Sequence, residues 1–411
     1  MLLLPTGIAT NPMDSELRSW ANEQLTALGF TQAPTIEPLR VEASHRVFYR
    51  LGQKPSVVLM SSPPTLENNR QFELLAEVFK AHGVGVPKLL ACNTEQGWYL
   101  MSDLGSVHLA DVYANGDADV GVRLAIDTLL DIQAIDDPAI PPYTAQRFHD
   151  ELAIFRDWFV EGWLGVSFPE QDLAPAFAQL VEITQRQPQC CVHRDFHCRN
   201  LLLHEGRIGV VDFQDALVGP AAYDLASLLR DCYYRFPEAA IDQWRDAFLS
   251  RSRWDLDPTR FAEDVDLTAA QRQLKAVGIF ARLQLRDGKA SHLRYLPGVI
   301  EQLVELSKRH PLLAPLHPYL TKWRTETERR LENHRGPLAR VCARLRLAAS
   351  HLRGDHERPP EAHGTAQWSS SGRSASHARG SALDRRTHLW SLLHAGRGAE
   401  NRISGETFAR P

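Results

Sequence analysis

The chain has no long apolar run, no C-x-x-C pair and no surplus of charge of one sign, and each absence removes a class of function. The six cysteines, at 92, 190, 191, 198, 232 and 342, make no Cys/His cluster at metal spacing, which excludes a zinc module and suits reduced thiols. A net charge of -4 leaves no global basic field for nucleic acid and no acidic excess for a polycation. Leu2 to Leu4 have no basic flank and no apolar stretch behind them, so neither a signal peptide nor a membrane anchor is expected, and the expected location is the cytoplasm. What is present is an ordinary globular balance, 44% hydrophobic and 23% charged, over 411 residues. That length allows two or three domain-sized units and a large core.

The informative stretch is residues 190–215, CCVHRDFHCRNLLLHEGRIGVVDFQD. Cys190, Cys191 and Val192 read as a short buried strand, Leu201 to Leu203 as a second, His204 to Gly206 as a tight turn, and Ile208 to Val211 as the return. Such a hairpin sets Asn200 at its entry beside Asp212 at its exit, with Asp195 on the loop just before. Two oxygen ligands and a nearby base suit phosphoryl transfer from a magnesium nucleotide, where catalysis is mostly positioning and charge neutralisation. The spacing H-R-D-x-x-x-x-N, followed by D-F, is that of kinase catalytic and metal loops. Taken singly, these residues read equally well as an ion-paired loop and a strand-end cap. The joint spacing favours chemistry.

VHRDFHCRNLLL, VVDFQDALVGPAAYDLASLLRD and FARLQLRDGK resemble the aminoglycoside phosphotransferase family, within the protein-kinase-like fold. They are most similar to its bacterial branch of anomeric kinases, which act on N-acetylmuramate and N-acetylglucosamine at the C1 hydroxyl. The likeness covers roughly residues 14 to 325. It implies an α+β, bilobal fold: a small antiparallel-sheet N-lobe with helices over 1–104, which binds nucleotide, and a larger, mainly helical C-lobe over 105–335 for catalysis and substrate. Beyond it lies a basic, low-complexity tail, 336–411, read as largely disordered and either a docking arm or a non-functional extension.

Local patterns agree with that layout. Asp14 or Ser15 caps a helix that carries Leu17, Trp20, Ala21, Leu25 and Leu28 on one face and stops at Gly29. Strands are expected at 35–39, 46–51, 56–62, 88–92 and 98–104, with a helix at about 68–81. GVGVP at 83–87 lies between a helix and a strand and reads as a turn. Helices are expected at about 119–133, 145–164, 171–187, 258–287 and 297–309, and from Gly219, with Pro220 near its first turn.

Two departures from the family stand out. The segment Glu42 to His45, where the resemblance places a glycine-rich phosphate loop, contains no glycine. Met60 falls about where the phosphate-pairing strand lysine belongs, so Arg46 or Arg50 must supply that charge, and Glu73 or Glu77 would match the helix glutamate that normally pairs with the lysine.

The resemblance implies ATP and Mg2+ as cofactors, Asp195 as the base, and Asn200 and Asp212 as metal ligands. Nucleotide contacts fall to Arg46 and the backbone around Met101 to Asp103. Acceptor contacts fall to His197, Arg199, Gln214, Asp215 and Arg230, with Asp231, Arg286 and Asp287 as further candidates. Arg199 either takes an acceptor carboxylate or pairs with an acid such as Asp215. Asp224 is expected to brace the catalytic-loop backbone. The expected function is an ATP-dependent kinase for the anomeric hydroxyl of an amino sugar in peptidoglycan recycling, with a sugar and a nucleotide as partners and neither nucleic acid nor membrane. The alternatives are a kinase of the same fold for an aminoglycoside, choline or homoserine, and a catalytically weak nucleotide-binding module. Nothing in the sequence signals oligomeric state.

Overall fold

A computed structural model describes residues 13–31, 34–39, 45–52 and 55–334. Leu2 to Leu4, Glu42 to Ser44 of the phosphate-loop segment, and the tail from 335 lie outside the described residues.

The carboxylate of Asp14 accepts from the N–H of Glu16 (3.0 Å) and starts α1 (Ser15–Ala27), and Gly29, at φ 87°, lets the chain turn away. The buried stripe of α1, Leu17, Ala21 and Leu25, packs on Tyr49, Leu51, Val57, Leu59 and Leu100. Those residues belong to one face of a five-stranded antiparallel sheet of β1 (Thr35–Leu39), β2 (Val47–Gly52), β3 (Val57–Ser61), β4 (Leu89–Asn93) and β5 (Trp98–Ser102), in the order β1-β2-β3-β5-β4. Strand alternation turns Phe48, Arg50, Val58, Met60 and Met101 to the opposite face.

Asn68 caps α2 (Asn69–Ala81) through the Gln71 N–H at 3.2 Å. Phe72 of α2 meets the Tyr99 ring edge-on at 5.5 Å and stacks on Phe213 at 5.4 Å, so the helix ties the sheet to the segment carrying Asp212. The GVGVP segment is the joint between α2 and β4, as its turn chemistry predicts. The Gly85 carbonyl accepts from the Val210 N–H at 2.7 Å.

The helical part comprises α3 (Leu109–Ala114), α4 (Ala118–Gln133), α5 (Ala145–Ile154), α6 (Glu170–Arg186), α7 (Tyr223–Leu229), α8 (Glu238–Leu249), α9 (Pro258–Asp287), α10 (Leu296–Arg309) and α11 (His317–His334). The helix expected over 145–164 is in fact α5 continued by a π-helix, Phe155–Trp163. This wider segment lies against α9. A Cβ at Gly278 would come within 2.6 Å of the Ile154 carbonyl carbon and oxygen, so only glycine permits that approach.

Two short ladders lie among the helices: β6 (Gln189–Val192) pairs with β9 (Leu217–Pro220), and β7 (Leu201–His204) pairs with β8 (Arg207–Val210). The helix expected from Gly219 therefore begins later, at Tyr223. Pro220 ends β9 opposite Gln189, a position where a missing N–H is tolerated.

Among the described residues, those up to 321 belong to one compact unit, and the end of α11, 322–334, falls outside it. Among the described residues no helix is long and apolar enough to cross a membrane.

Candidate functional site

The β7–β8 hairpin does what the sequence pattern requires of it. Glu205 (φ 49°) and Gly206 (φ 77°) make a two-residue turn with both residues left-handed, which sets the register of the hairpin. At its open end the Val211 N–H donates to the Asn200 carbonyl at 3.1 Å. The Asn200 amide donates to the Asp195 carbonyl at 3.0 Å and reaches the Asp212 carboxylate at 3.4 Å. Gln214 donates to the other Asp212 oxygen at 2.7 Å. Asp195, Asn200, Asp212 and Gln214 thus form one group. Asp212 has φ 66°, a strained value for a non-glycine residue.

The loop from His193 to Asn200 is held from below. Both oxygens of Asp224, which is fully buried on α7, accept backbone N–H groups, from His193 at 2.6 Å and Arg194 at 2.9 Å. This is the bracing role expected of Asp224. A His193 ring nitrogen lies 3.0 Å from the Val211 carbonyl. Arg194 has φ 76°, and its guanidinium donates to Glu151 at 2.6 Å and lies 5.1 Å from the Tyr143 ring centre. Glu151 also pairs with Lys275 of α9 at 2.9 Å and accepts from the Tyr143 hydroxyl.

The electrostatics separate the two aspartates. Burial pushes the Asp195 carboxyl up, but Lys275, His197 when protonated, Arg272 and Arg194 outweigh it and hold the group well below the usual carboxylate range. Asp212 moves the other way. Its side chain reaches the surface, but the protein packed around it thins its hydration, and that desolvation, then Asp195, raise it against the Gln214 hydrogen bond; with Asp215 and Arg46 also acting the carboxyl is pushed up to about 6. Hard oxygen donors from Asn200 and Asp212, in surroundings this negative, are a donor set that fits a divalent cation. His197 is buried, its ring edge-on to Tyr233 at 5.0 Å. Burial lowers it to about 4, despite Asp231, and its Nδ1 has no hydrogen-bond partner among the described residues.

The remaining expected residues divide. The Arg199 guanidinium lies 4.0 Å from the Tyr233 ring centre and 5.0 Å from that of Tyr295, whose hydroxyl it also meets. Arg230 lies elsewhere in function: buried, it donates twice to Glu238 and once to Asp266, each at 2.8 Å, which joins α7, α8 and α9. Asp231 accepts the N–H groups of Cys198 and Tyr233, so it braces the loop, and Arg286 and Asp287 pair with each other at the end of α9.

On the sheet side, the buried Arg46 donates to Ser62 at 3.2 Å, pairs with Glu67 at 3.3 Å and lies over Phe72. The glutamate opposite the arginine is therefore Glu67, just before α2. Glu73 instead accepts from Thr94 and Tyr99, and Glu77 pairs with Lys80 at the surface. Arg50 pairs with Asp103 at 2.7 Å and with the Gly105 carbonyl at 2.8 Å. Ser56 and the Gly105 N–H also donate to the Asp103 carboxylate, so the side chain is committed and the backbone of Asp103 is what is left for a ligand. Met101 is buried opposite Val58, and the Ser102 N–H is used by the Lys88 carbonyl.

The sequence profile of the phosphotransferase enzyme family matches residues 35–262, more than half of the chain. The chain belongs to this phosphotransferase family. Similar members include an N-acetylmuramate/N-acetylglucosamine kinase of Pseudomonas aeruginosa, 36% identical over 73% of this chain and 94% of that protein. A kinase of the same name from Neisseria meningitidis is 32% identical over 68% of this chain and 88% of that one. Among solved structures, a choline/ethanolamine kinase family protein from Mesorhizobium loti aligns with TM-score 0.53 at 14% identity, over 75% of this chain and 99% of that one. Choline kinase from Cryptosporidium parvum aligns with TM-score 0.51 at 10% identity, over 75% and 100%. The phosphotransferase thus has the bilobal α+β kinase-like fold its motifs imply.

Sequence reasoning missed Glu151, Arg272 and Lys275 in this phosphotransferase. A signal existed: α9 carries Thr268, Gln271, Arg272, Gln273 and Lys275 among apolar residues on every side, which is how a buried polar cluster reads.

Proposed function

We propose that the chain is an ATP-dependent kinase that transfers the γ-phosphate to the anomeric C1 hydroxyl of an amino sugar, N-acetylmuramate or N-acetylglucosamine, as a step of peptidoglycan recycling. The observation that carries this reading is the Asn200 amide tied at once to the Asp195 carbonyl and the Asp212 carboxylate, at 3.0 and 3.4 Å. It sets a base and two hard oxygen donors within one hairpin width. The acceptor class is taken from the similarity to kinases named for those two sugars.

Asp195 accepts the hydrogen bond of the attacking hydroxyl and finally its proton, while the cations behind it keep the carboxylate ionised until transfer. Orienting the alcohol matters more than basicity when the transition state is loose. Asn200 and Asp212 would hold Mg2+, which supplies neutralisation of phosphate charge when bound. Arg46, within the field of Asp212 and backed by Glu67, takes the place of the absent strand lysine toward the nucleotide phosphates. The backbone from Met101 to Asp103 borders the base. Gln214, Asp215 and Arg199 border the acceptor, with the buried His197 behind them. The cation Arg199 disfavours a polycationic aminoglycoside there.

A panel of amino sugars and aminoglycosides with ATP and Mg2+, read by phosphorus NMR, tests the reading. The expected product carries an acid-labile anomeric phosphate. Phosphate on an exocyclic or another ring hydroxyl would reject the anomeric assignment.

A further inference from the structure

Four side chains converge on Glu151, none of them assigned to the reaction. Its carboxylate, 4% exposed in the helical interior, takes Arg194 at 2.6 Å, Lys275 at 2.9 Å, the Tyr143 hydroxyl and, at 3.4 Å, the Gln271 amide. These partners come from the catalytic loop, from α9 and from the segment just before α5. Burying a carboxylate with two cations is poor value for stability alone, because an apolar cluster of the same volume serves as well. The site has a local feature to maintain. Arg194 has a Cβ and sits at φ 76°, a conformation that persists only where the surroundings over-determine it. Asp224 grips the backbone N–H groups of His193 and Arg194, and Glu151 grips the Arg194 side chain. The next residue is Asp195, so rotation about Arg194 would swing that carboxylate off line.

We propose that Glu151 is a positioning residue: by fixing the Arg194 side chain while Asp224 fixes its backbone, Glu151 holds the left-handed turn that aims Asp195 at the acceptor hydroxyl. Lys275 balances the same carboxylate from α9, so the posture of the loop is set by the core of the helical part. This rests on the reading of Asp195 as the base.

The test uses the full-length chain carrying Glu151→Gln, which keeps the size and removes the charge. For whichever amino sugar the wild type phosphorylates, kcat falls about 100-fold. KM for ATP and sugar stays within about threefold. The imidazole nitrogen NMR signals of His193 and His197, on either side of Asp195, shift. A folded Glu151→Gln protein with a lowered melting temperature but kcat within about twofold of wild type overturns the proposal. If the single variant fails to fold, Arg194→Lys keeps the charge beside Asp195 and loses the guanidinium's grip on Glu151. A folded Arg194→Lys protein with kcat about 100-fold down and KM within about threefold supports the clamp, and wild-type kcat rejects it. If the wild type phosphorylates no amino sugar, the reading under Proposed function fails by itself. The histidine signals then decide the clamp, moved in the variant if it holds and identical to wild type if it does not.

Discussion

On the helical side of the site, Arg194 and Lys275 both close on Glu151, Arg230 closes on Glu238 and Asp266, and Asp224 caps the loop backbone. On the sheet side Arg46 has Glu67 and Ser62, next to a phosphate-loop segment that contains no glycine, and Met60 stands in the lysine's place. The first side keeps its motif intact and surrounds it with buried pairs. The second departs from the family pattern and has, instead of a lysine–glutamate pair, the pair of Arg46 and Glu67. The difference follows from the chemistry. Aligning a hydroxyl with a phosphorus atom tolerates errors of a fraction of an ångström, whereas a cation near phosphate oxygens acts through a field and can arrive from either of two strands.

The largest expected effect lies on the helical side. Asp195→Asn keeps the shape of the site and removes the proposed proton acceptor, and kcat falls by about three orders of magnitude while KM for ATP stays within about threefold. Steady-state assays with the accepted sugar measure both. A smaller effect concerns the junction of the two sides. Because the Asp212 carboxyl is pushed up to about 6 from an ordinary value near 3.8, it is ionised and able to hold a cation at pH 7.5. As pH falls through about 6 the proton competes, so the rise in melting temperature produced by Mg2+ shrinks toward pH 5 and is full above pH 7. Scanning calorimetry with and without Mg2+ across that range reads the trend, and a rise that grows toward acid contradicts it. Smallest is the hairpin turn. Glu205→Asn relieves a left-handed glutamate and stabilises the fold by about 0.5–1 kcal/mol without altering kcat, as thermal unfolding beside an activity assay would register.

Much of this was legible in the sequence because it is written in short-range code. The β7–β8 hairpin follows from alternation around Glu205–Gly206, and α1 from Asp14, an apolar stripe and Gly29. The spacing from Asp195 to Asn200 to Asp212 carries the site. What was not legible depends on long-range partners. Arg230 reads as a candidate acceptor contact until Glu238 and Asp266, from two other helices, are seen to close on it. Glu73 and Glu77 have the spacing of a helix glutamate, but the orientation of α2 turns one to Tyr99 and the other to solvent, leaving Glu67 for Arg46. Pro220 suggests a helix start, and pairing with Gln189 makes it a strand end. The π-helix, Phe155–Trp163, depends likewise on a distant partner, the close approach of Gly278 from α9 to the backbone of Ile154.

The division of labour between the two sides is tested most directly by calorimetric titration of ADP into two variants, Arg46→Met and Asp195→Asn. Arg46→Met is expected to weaken ADP binding about tenfold, while Asp195→Asn leaves it within about twofold of wild type. Wild-type affinity in Arg46→Met, or an equal loss in both variants, would contradict it.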